Sequence, residues 1–313
     1  MTRNVKHSLL DKAKNEKNDE FYTQLSDIER EISNYKTCFK DKVVLCNCDC
    51  VKNSNFFKYF LIHFEELQLK KLICSCYNKK GHGYYYEYSG EKGLQPNLKN
   101  VKYFKGNGDF RNNENIELLK EADVVVTNPP FSLFREYISQ LSKYKKKFLI
   151  ISNVNAITYK EVYTLIQENK AWLGVNLGRG ISGFIVPDNY ELYGLETTIN
   201  EFGERIVSPN NCMWLTNLKC SVVKEFMKLT KTFKGNEKDY PYYDNFDAIH
   251  IDKTKNIPCD FDGIMGVPVT FLHKFNPKQF EIIQFRKGND GKDLKINGKT
   301  PFFRILVRKK PVS

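Results

Sequence analysis

The sequence predicts an α/β protein: a doubly wound, mainly parallel sheet followed by a smaller C-terminal module. Three observations lead there. Apolar β-prone runs alternate with helical patterns from Lys42 to Asn169, which is the rhythm of strand–helix–strand crossovers. Beyond Lys170 the alternation stops, and glycine and proline become frequent. The chain has 313 residues, 41% of them hydrophobic, enough for a sizeable core and for two domains, expected at residues 1–220 and 221–313.

Residues 1–18 are polar with little periodicity and read as a loose arm. A helix follows in which Leu25, Ile28, Ile32 and Tyr35 share a face. Lys42 to Cys48 reads as the first buried strand, and Ser54 is placed to cap a Phe-rich helix. Lys71 to Tyr77 is the second strand, and Asn78 to Gly93 a turn-rich, tyrosine-bearing hairpin. Val101 to Phe104 reads as a third strand and Ile116 to Leu119 as a short helix. The fourth strand runs into Thr127, the fifth covers Lys147 to Ser152, and a helix spans Thr158 to Asn169. Gly183 to Val186 and Cys212 to Thr216 are β-prone without helical partners, and Ser221 to Leu229 is patterned as a helix. Asn297-Gly298 predicts a tight turn in a closing hairpin from Leu294 to Arg308.

The most informative stretch is Asp123 to Phe134, D-V-V-V-T-N-P-P-F-S-L-F. Three valines suit a strand buried on both faces, the prolines end it, and Ser132 is placed to cap the helix beyond. Asn128, Pro129, Pro130 and Phe131 therefore sit at the carboxyl end of a central strand, where open α/β sheets keep their ligands. Methyl transfer to a planar amine wants such a set. The amine lone pair is delocalised until acceptors hold its hydrogens. Asn128 supplies a side-chain oxygen, Pro129 a backbone carbonyl, and Phe131 a face for stacking. The plainer reading is a strand-to-helix turn made of ordinary turn formers.

Lys+Arg 49 against Asp+Glu 37 gives +12 and favours an anionic partner such as nucleic acid or a membrane surface, a solvated basic surface being the alternative. No apolar run approaches the roughly 20 residues of a membrane span, and the N-terminus is charged rather than signal-like, so a soluble, cytoplasmic protein is expected. Among nine cysteines, Cys46, Cys48 and Cys50 alternate, as do Cys74 and Cys76; this is strand packing rather than zinc spacing, so no metal is expected. The five histidines are isolated.

Several stretches in colinear order carry a resemblance: F-Y-T-Q, V-V-L-C-N-C-D with S-N-F-F-K-Y-F, G-N-G-D-F-R, T-N-P-P-F-S-L-F-R-E-Y, F-L-I-I-S-N-V-N-A-I-T-Y and M-G-V-P-V-T-F-L. Together they make the chain resemble the EcoRI-type adenine-specific DNA methyltransferases from about Asp19 to the C-terminus. The resemblance implies a Rossmann-like fold. It also implies S-adenosylmethionine as cofactor, a flipped adenine in duplex DNA as substrate, and the modification role in restriction–modification. Asn128, Pro129, Pro130 and Phe131 match the catalytic tetrad. Phe21, Tyr22 and Thr23 match the segment near the methionine end of the cofactor, and Asp109 with Phe110 the pair beside its adenine. Asn47, Asp49, Ser54 and Asn55 fall in the cofactor loop, where related enzymes are glycine-rich; here no glycine occurs between Lys42 and Lys80. Trp214 matches a second aromatic on the extruded base, plain core packing being its alternative.

The C-terminal module, with Lys292, Lys295, Lys299, Arg304, Arg308, Lys309 and Lys310, is expected to bind DNA, while Gln284, Asn289 and Asn297 offer groups for base edges. The expected assembly is a monomer, with a cognate endonuclease acting separately. Methylation of RNA or of protein glutamine makes the same demands of the tetrad, and a DNA-binding relative without catalysis is a reading from another class.

Overall fold

The computed structural model describes residues 22–90, 100–176, 181–186, 197–200, 202–208, 211–219, 225–286, 293–300 and 303–311. The expected arm, Phe21, Asn289 and Lys292 lie outside them. The chain forms two compact units, Met1–Ala156 with Trp172–Ser221, and Ile157–Ala171 with Val222–Ser313.

The first unit opens with β1 (Tyr22–Thr23) and α1 (Leu25–Ile32), whose apolar stripe of Ile28 and Ile32 continues to Tyr35 in a short 3-10 turn; all three are fully buried. β2 (Val43–Cys46) is buried along its whole length. Ser54 caps α2 (Asn55–Ile62) by accepting a 3.0 Å bond from the Phe57 amide. β3 (Lys71–Cys76) pairs antiparallel with β4 (Tyr84–Tyr88), and β5 (Lys102–Tyr103) follows. The tyrosines expected in a separate hairpin thus belong to the main sheet, with Tyr86 and Tyr88 in the core. α3 (Asn113–Glu121) leads to β6 (Val124–Thr127), and α4 (Phe134–Lys143) to β7 (Lys147–Asn153). Ser132 does not cap α4. A 3-10 turn over Phe131–Leu133 intervenes, and the helix starts at Phe134 with no side-chain cap.

The next helix, α5 (Lys160–Gln167), belongs to the second unit rather than to the sheet it follows. The chain returns through β8 (Trp172–Leu173), β9 (Phe184–Val186), β10 (Thr197–Ile199), β11 (Arg205–Val207) and β12 (Cys212–Thr216).

Eight strands make the large sheet, in the order β5-β4-β3-β2-β6-β7-β12-β8. The pairs β3–β2, β2–β6 and β6–β7 are parallel, and the outer pairs are antiparallel, so the expected mainly parallel sheet is mixed, with a parallel centre. The physical reason lies in the connections: a hairpin return joins β3 to β4, and β12 arrives after a long excursion, so neither arrives through a helical crossover. The remaining strands form a four-stranded antiparallel sheet, β1-β9-β11-β10.

In the second unit β13 (Tyr242–Tyr243), β14 (Phe246–His250), β15 (Met265–Pro268), β16 (Phe280–Arg286) and β17 (Arg304–Lys309) form a sheet ordered β13-β14-β15-β17-β16. α5 packs on β16, with the Tyr163 and Phe285 rings 5.2 Å apart. Asn297 and Gly298 both take positive φ, and Ile296 bridges Lys299 across the predicted tight turn. The turn does not join β17 to the Leu294 side, because β17 pairs with β15 and β16 instead. Residues 225–229 are not helical: Gln279 donates to the Met227 carbonyl and accepts from its amide, both at 2.7 Å, taking the bonds a helix would have used.

Trp214 lies on β12 with 1% of its surface exposed, its ring edge-on to Phe56 at 6.0 Å. A base cannot stack on a ring enclosed in this way, so its place is the core. Trp214→Ala is expected to cost about 3–5 kcal/mol, measured as a lowered urea midpoint, and Trp214→Phe, which keeps the edge contact, distinctly less.

Candidate active site

β2 and β6 are parallel neighbours, yet the sheet continues to β3 on one side and to β7 on the other. The loops that leave their carboxyl ends therefore run to opposite sides of the sheet, the switch point at which open α/β sheets keep a ligand crevice. Thr127 ends β6 and Asp49 follows β2, and Thr127 Oγ1 donates to Asp49 Oδ2 at 2.5 Å. Ser54 Oγ donates to the other carboxylate oxygen at 2.8 Å while capping α2. One carboxylate thus ties two strand ends and a helix start together.

Asn128 follows Thr127 directly, half-buried, with its Oδ1 buried. Pro129 is buried, the Pro130 carbonyl accepts from the Leu133 amide at 3.0 Å, and Phe131 is half-exposed against the core. Asn47, buried at the end of β2, accepts a 2.5 Å bond at Oδ1 from Tyr137 of α4. Its Nδ2 and the Thr23 Oγ1 are buried polar atoms with no hydrogen-bond partner among the described residues.

Asn55 Nδ2 donates to the Thr23 carbonyl at 2.8 Å, and Asn53 to the Tyr22 hydroxyl at 3.2 Å, so β1 lies over the start of α2. Phe110 is buried edge-on against Tyr137, 5.1 Å away, and Asp109 is held by Arg111 through both oxygens at 2.7 and 2.9 Å. Asn115 Nδ2 fixes this loop by donating to the Gly108 and Asp109 carbonyls at 2.8 and 3.2 Å.

Within this one unit the structure gathers Tyr22, Thr23, Asn47, Asp49, Ser54 and Asn55 about the β2 loop, adds Asn128 through Thr127, and reaches Phe110 through Tyr137. Trp214 is not among them. Sequence reading missed Thr127, Tyr137, Asn115 and Ser75, whose hydroxyl donates to Asn115 Oδ1 at 2.8 Å. For Thr127 and Ser75 the signal available was a polar residue near the carboxyl end of an apolar strand; Asn115 and Tyr137, both on helices, offered none.

The expected DNA-binding residues lie in the other unit and differ in availability. Lys295, Lys299, Arg308 and Lys310 are exposed. Arg304 is buried, because β17 is an interior strand, and burial holds its pKa below the usual guanidinium value. Lys309 bonds the Cys259 carbonyl and pairs with Asp262 at 3.4 Å. Among the described residues no cluster of His, Cys, Asp or Glu could hold a metal ion, and no helix is long and apolar enough to cross a membrane.

Burial lifts the Asp49 pKa from its ordinary 3.8 to about 6, against the lowering by the Thr127 and Ser54 hydroxyls. The folded carboxyl holds its proton to higher pH than the unfolded one. Its stabilising contribution is therefore complete below about pH 4 and is lost as the pH rises through about 6. The loss is up to about 3 kcal/mol, reduced where water reaches this half-buried group. Urea unfolding between pH 4 and 7 should show this decline in the parent chain, and Asp49→Asn, which has no proton to lose, should lack that part of it.

The model of the family Adenine-specific methyltransferase EcoRI matches residues 9–310. The Type II methyltransferase M.EcoRI of Escherichia coli is 60% identical, with 99% of each chain covered. M.MgeORF184P of Mycoplasma genitalium is 38% identical over 96% of this chain and 98% of its own, and M.MpnI of Mycoplasma pneumoniae 35% over 96% and 97%. No solved structure matches the chain. Matched by the family model over residues 9–310 and by a 60% identical relative over 99% of its length, the chain belongs to the adenine-specific methyltransferase EcoRI family.

Proposed function

We propose that the chain takes a methyl group from S-adenosylmethionine and delivers it to N6 of an adenine swung out of a specific duplex DNA site. Family membership makes it an adenine-specific methyltransferase of the restriction–modification kind. The observation that carries the finer reading is the Thr127–Asp49 bond, which puts Asn128 beside the loop expected to hold the cofactor. We read the large sheet as the Rossmann-like, doubly wound fold of S-adenosylmethionine-dependent methyltransferases, elaborated by antiparallel edges.

The residues of the crevice fit such a cofactor. Thr23 Oγ1 and Asn47 Nδ2 are buried polar atoms without a partner among the described residues, as a ligand's polar groups would need, and Asp49 is a carboxylate that a neighbouring cation would ease into its charged form. Tyr22, Thr23, Asn47, Asp49, Ser54 and Asn55, with Phe21, would hold the cofactor, and Asp109 and Phe110 its adenine. When bound, S-adenosylmethionine supplies an electrophilic methyl group on a sulfonium.

Toward the substrate, Asn128 Oδ1 and the Pro129 carbonyl accept the two N6 hydrogens. Nitrogen then pyramidalises and frees its lone pair for the methyl group, and a proton leaves N6 for solvent once the new bond is made. Phe131 offers its half-exposed face to the base, which has to leave the duplex because N6 is out of reach while stacked. Residues 1–220 are the proposed catalytic part and residues 221–313 the target-recognition part. The enzyme is read as a cytoplasmic monomer acting on duplex DNA, with its endonuclease partner separate.

Incubating the chain with S-adenosylmethionine and duplex DNA, then hydrolysing the DNA to nucleosides, should yield N6-methyladenine by mass spectrometry. Asn128→Ala should lower single-turnover methylation by about 10²–10³ and leave cofactor affinity by calorimetry nearly unchanged, since the lost acceptor acts in the transition state. Near-normal turnover in that variant would sink the mechanism. On the recognition side, Arg308→Ala with Lys310→Ala should weaken binding to all duplexes alike and flatten the salt dependence, whereas Lys309→Ala, already engaged by Asp262 and the Cys259 carbonyl, should change it less.

A further inference from the structure

The rim of the crevice carries a group of side chains that methyl transfer does not use. Cys50 lies in the turn between Asp49 and Ser54, Cys76 ends β3, and Tyr84 opens β4 opposite Cys76 in the antiparallel register. The Tyr84 hydroxyl is 2.9 Å from Cys50 Sγ. Through Tyr84, which touches Cys50 and is the cross-strand partner of Cys76, the two thiols share one neighbourhood, and each acts on the charge of the others there. Both thiols are half-buried, whereas Cys46 and Cys74, paired in register between β2 and β3, are buried.

The surroundings favour the anionic form of Cys50. The neighbouring Cys76 thiol leads in holding its pKa down to about 5, helped by Tyr84 and by the amide and charge of Lys52, against the cost of burial. Asp49 and Cys74 are the neighbouring acidic groups that feel its charge in return. Tyr84 is pushed well above the ordinary phenol value, chiefly by burial, so it keeps its proton and remains a donor.

We infer that Cys50 and Cys76 are a peroxide-responsive thiol pair that closes to a disulfide at the rim of the crevice. The Cys50 thiolate attacks one oxygen of hydrogen peroxide, breaking the O–O bond and giving Cys50 sulfenic acid and hydroxide, which takes up a proton. The Cys76 sulfur then attacks the sulfenic sulfur, the S–S bond forms, and water leaves. In sum two thiols and one peroxide give one disulfide and two waters, and a dithiol reductant reverses the change. The bond staples the Asp49–Ser54 turn to the end of β3 and removes a negative charge from the crevice. Resting on the cofactor reading given above, the consequence is weaker binding of the cationic cofactor by the oxidised enzyme.

The test begins with the full reduced chain, exposed to equimolar hydrogen peroxide, alkylated and digested without reductant. Mass spectrometry is expected to find the Cys50 and Cys76 peptides joined with loss of two hydrogens, and separate again after dithiothreitol. Recovery of both as alkylated thiols, while the exposed Cys259 is oxidised, would overturn the proposal. In Cys76→Ser the linkage cannot form, and Cys50 should instead be trapped by dimedone as its sulfenic acid; no adduct would count against Cys50 as the attacking thiol.

At pH 6 iodoacetamide should label Cys50 faster than Cys259, and Tyr84→Phe should slow Cys50; equal rates in the parent chain would overturn the thiolate assignment. None of these measurements involves the cofactor. A reduced chain that binds no S-adenosylmethionine would overturn the cofactor reading and leave the crosslink result standing. Equal binding by the reduced and oxidised chains would overturn the regulatory consequence.

Discussion

The hydroxyl–carboxylate bond between Thr127 and Asp49 is the constraint on which the site depends. Topology opens a crevice where β2 and β6 send their loops to opposite sides, but topology alone does not hold those loops in register. Asp49 does so, because a carboxylate accepts from several donors at once: Thr127 reaches it from β6 and Ser54 from the start of α2. This also explains how the loop manages without glycine. Among the described residues none from 47 to 54 has a positive φ, so no position there requires an absent Cβ. Close backbone approach occurs elsewhere instead. A Cβ on Gly83 would lie 2.5 Å from the Asn107 carbonyl oxygen, and one on Gly108, at φ +77°, 2.6 Å from that of Cys76.

The same economy of buried carboxylates brings the N-terminal stretch to the crevice. Asp27 and Glu31, one turn apart on α1, are both buried, a costly arrangement without partners. Glu31 accepts from the backbone amides of Val175 and Asn176 at 2.8 and 2.9 Å, and Asp27 from the Ser182 amide at 2.7 Å. Gly174 has no room for a side chain, since a Cβ would stand 2.4 Å from Glu31 Oε1 and 2.5 Å from Trp214 Cβ. With α1 fixed to segments some 145 residues away in sequence, β1 pairs with β9, and Tyr22 and Thr23 come to lie over Asn53 and Asn55.

What was legible in the sequence was whatever a local pattern decides. The three valines before Asn128, the cap at Ser54, the stripe of Ile28, Ile32 and Tyr35, and the Asn297-Gly298 turn all follow from spacing and backbone preference. The rest turned on long-range partners. Ser132 has the chemistry of a cap, but the chain leaves Pro130 in a 3-10 turn and α4 begins two residues later. Residues 225–229 have helical spacing, but Gln279 takes the hydrogen bonds of Met227. The tyrosines of 84–88 looked like a separate hairpin because their partner, β3, is itself a strand of the core.

The second unit shows why composition underestimated its order. β15 pairs with β17 although β16 intervenes in sequence, and β17 returns to β16 only after a long connection, so neither pairing produces a local hairpin signal. Side-chain amides supply what local structure does not. Asn245 donates to the Asp293 carbonyl at 2.7 Å and accepts from the Lys295 amide at 3.0 Å, while Asp244 accepts from the amides of Asn297 and Gly298. This interior placement of β17 also sorts its charges. Arg304, at the start of the strand, is buried opposite both neighbours, whereas Arg308 and Lys310 emerge at its far end. A count of lysines and arginines along a segment therefore overstates the basic surface, because a charge paired between two neighbouring strands is covered while one beyond the pairing is not.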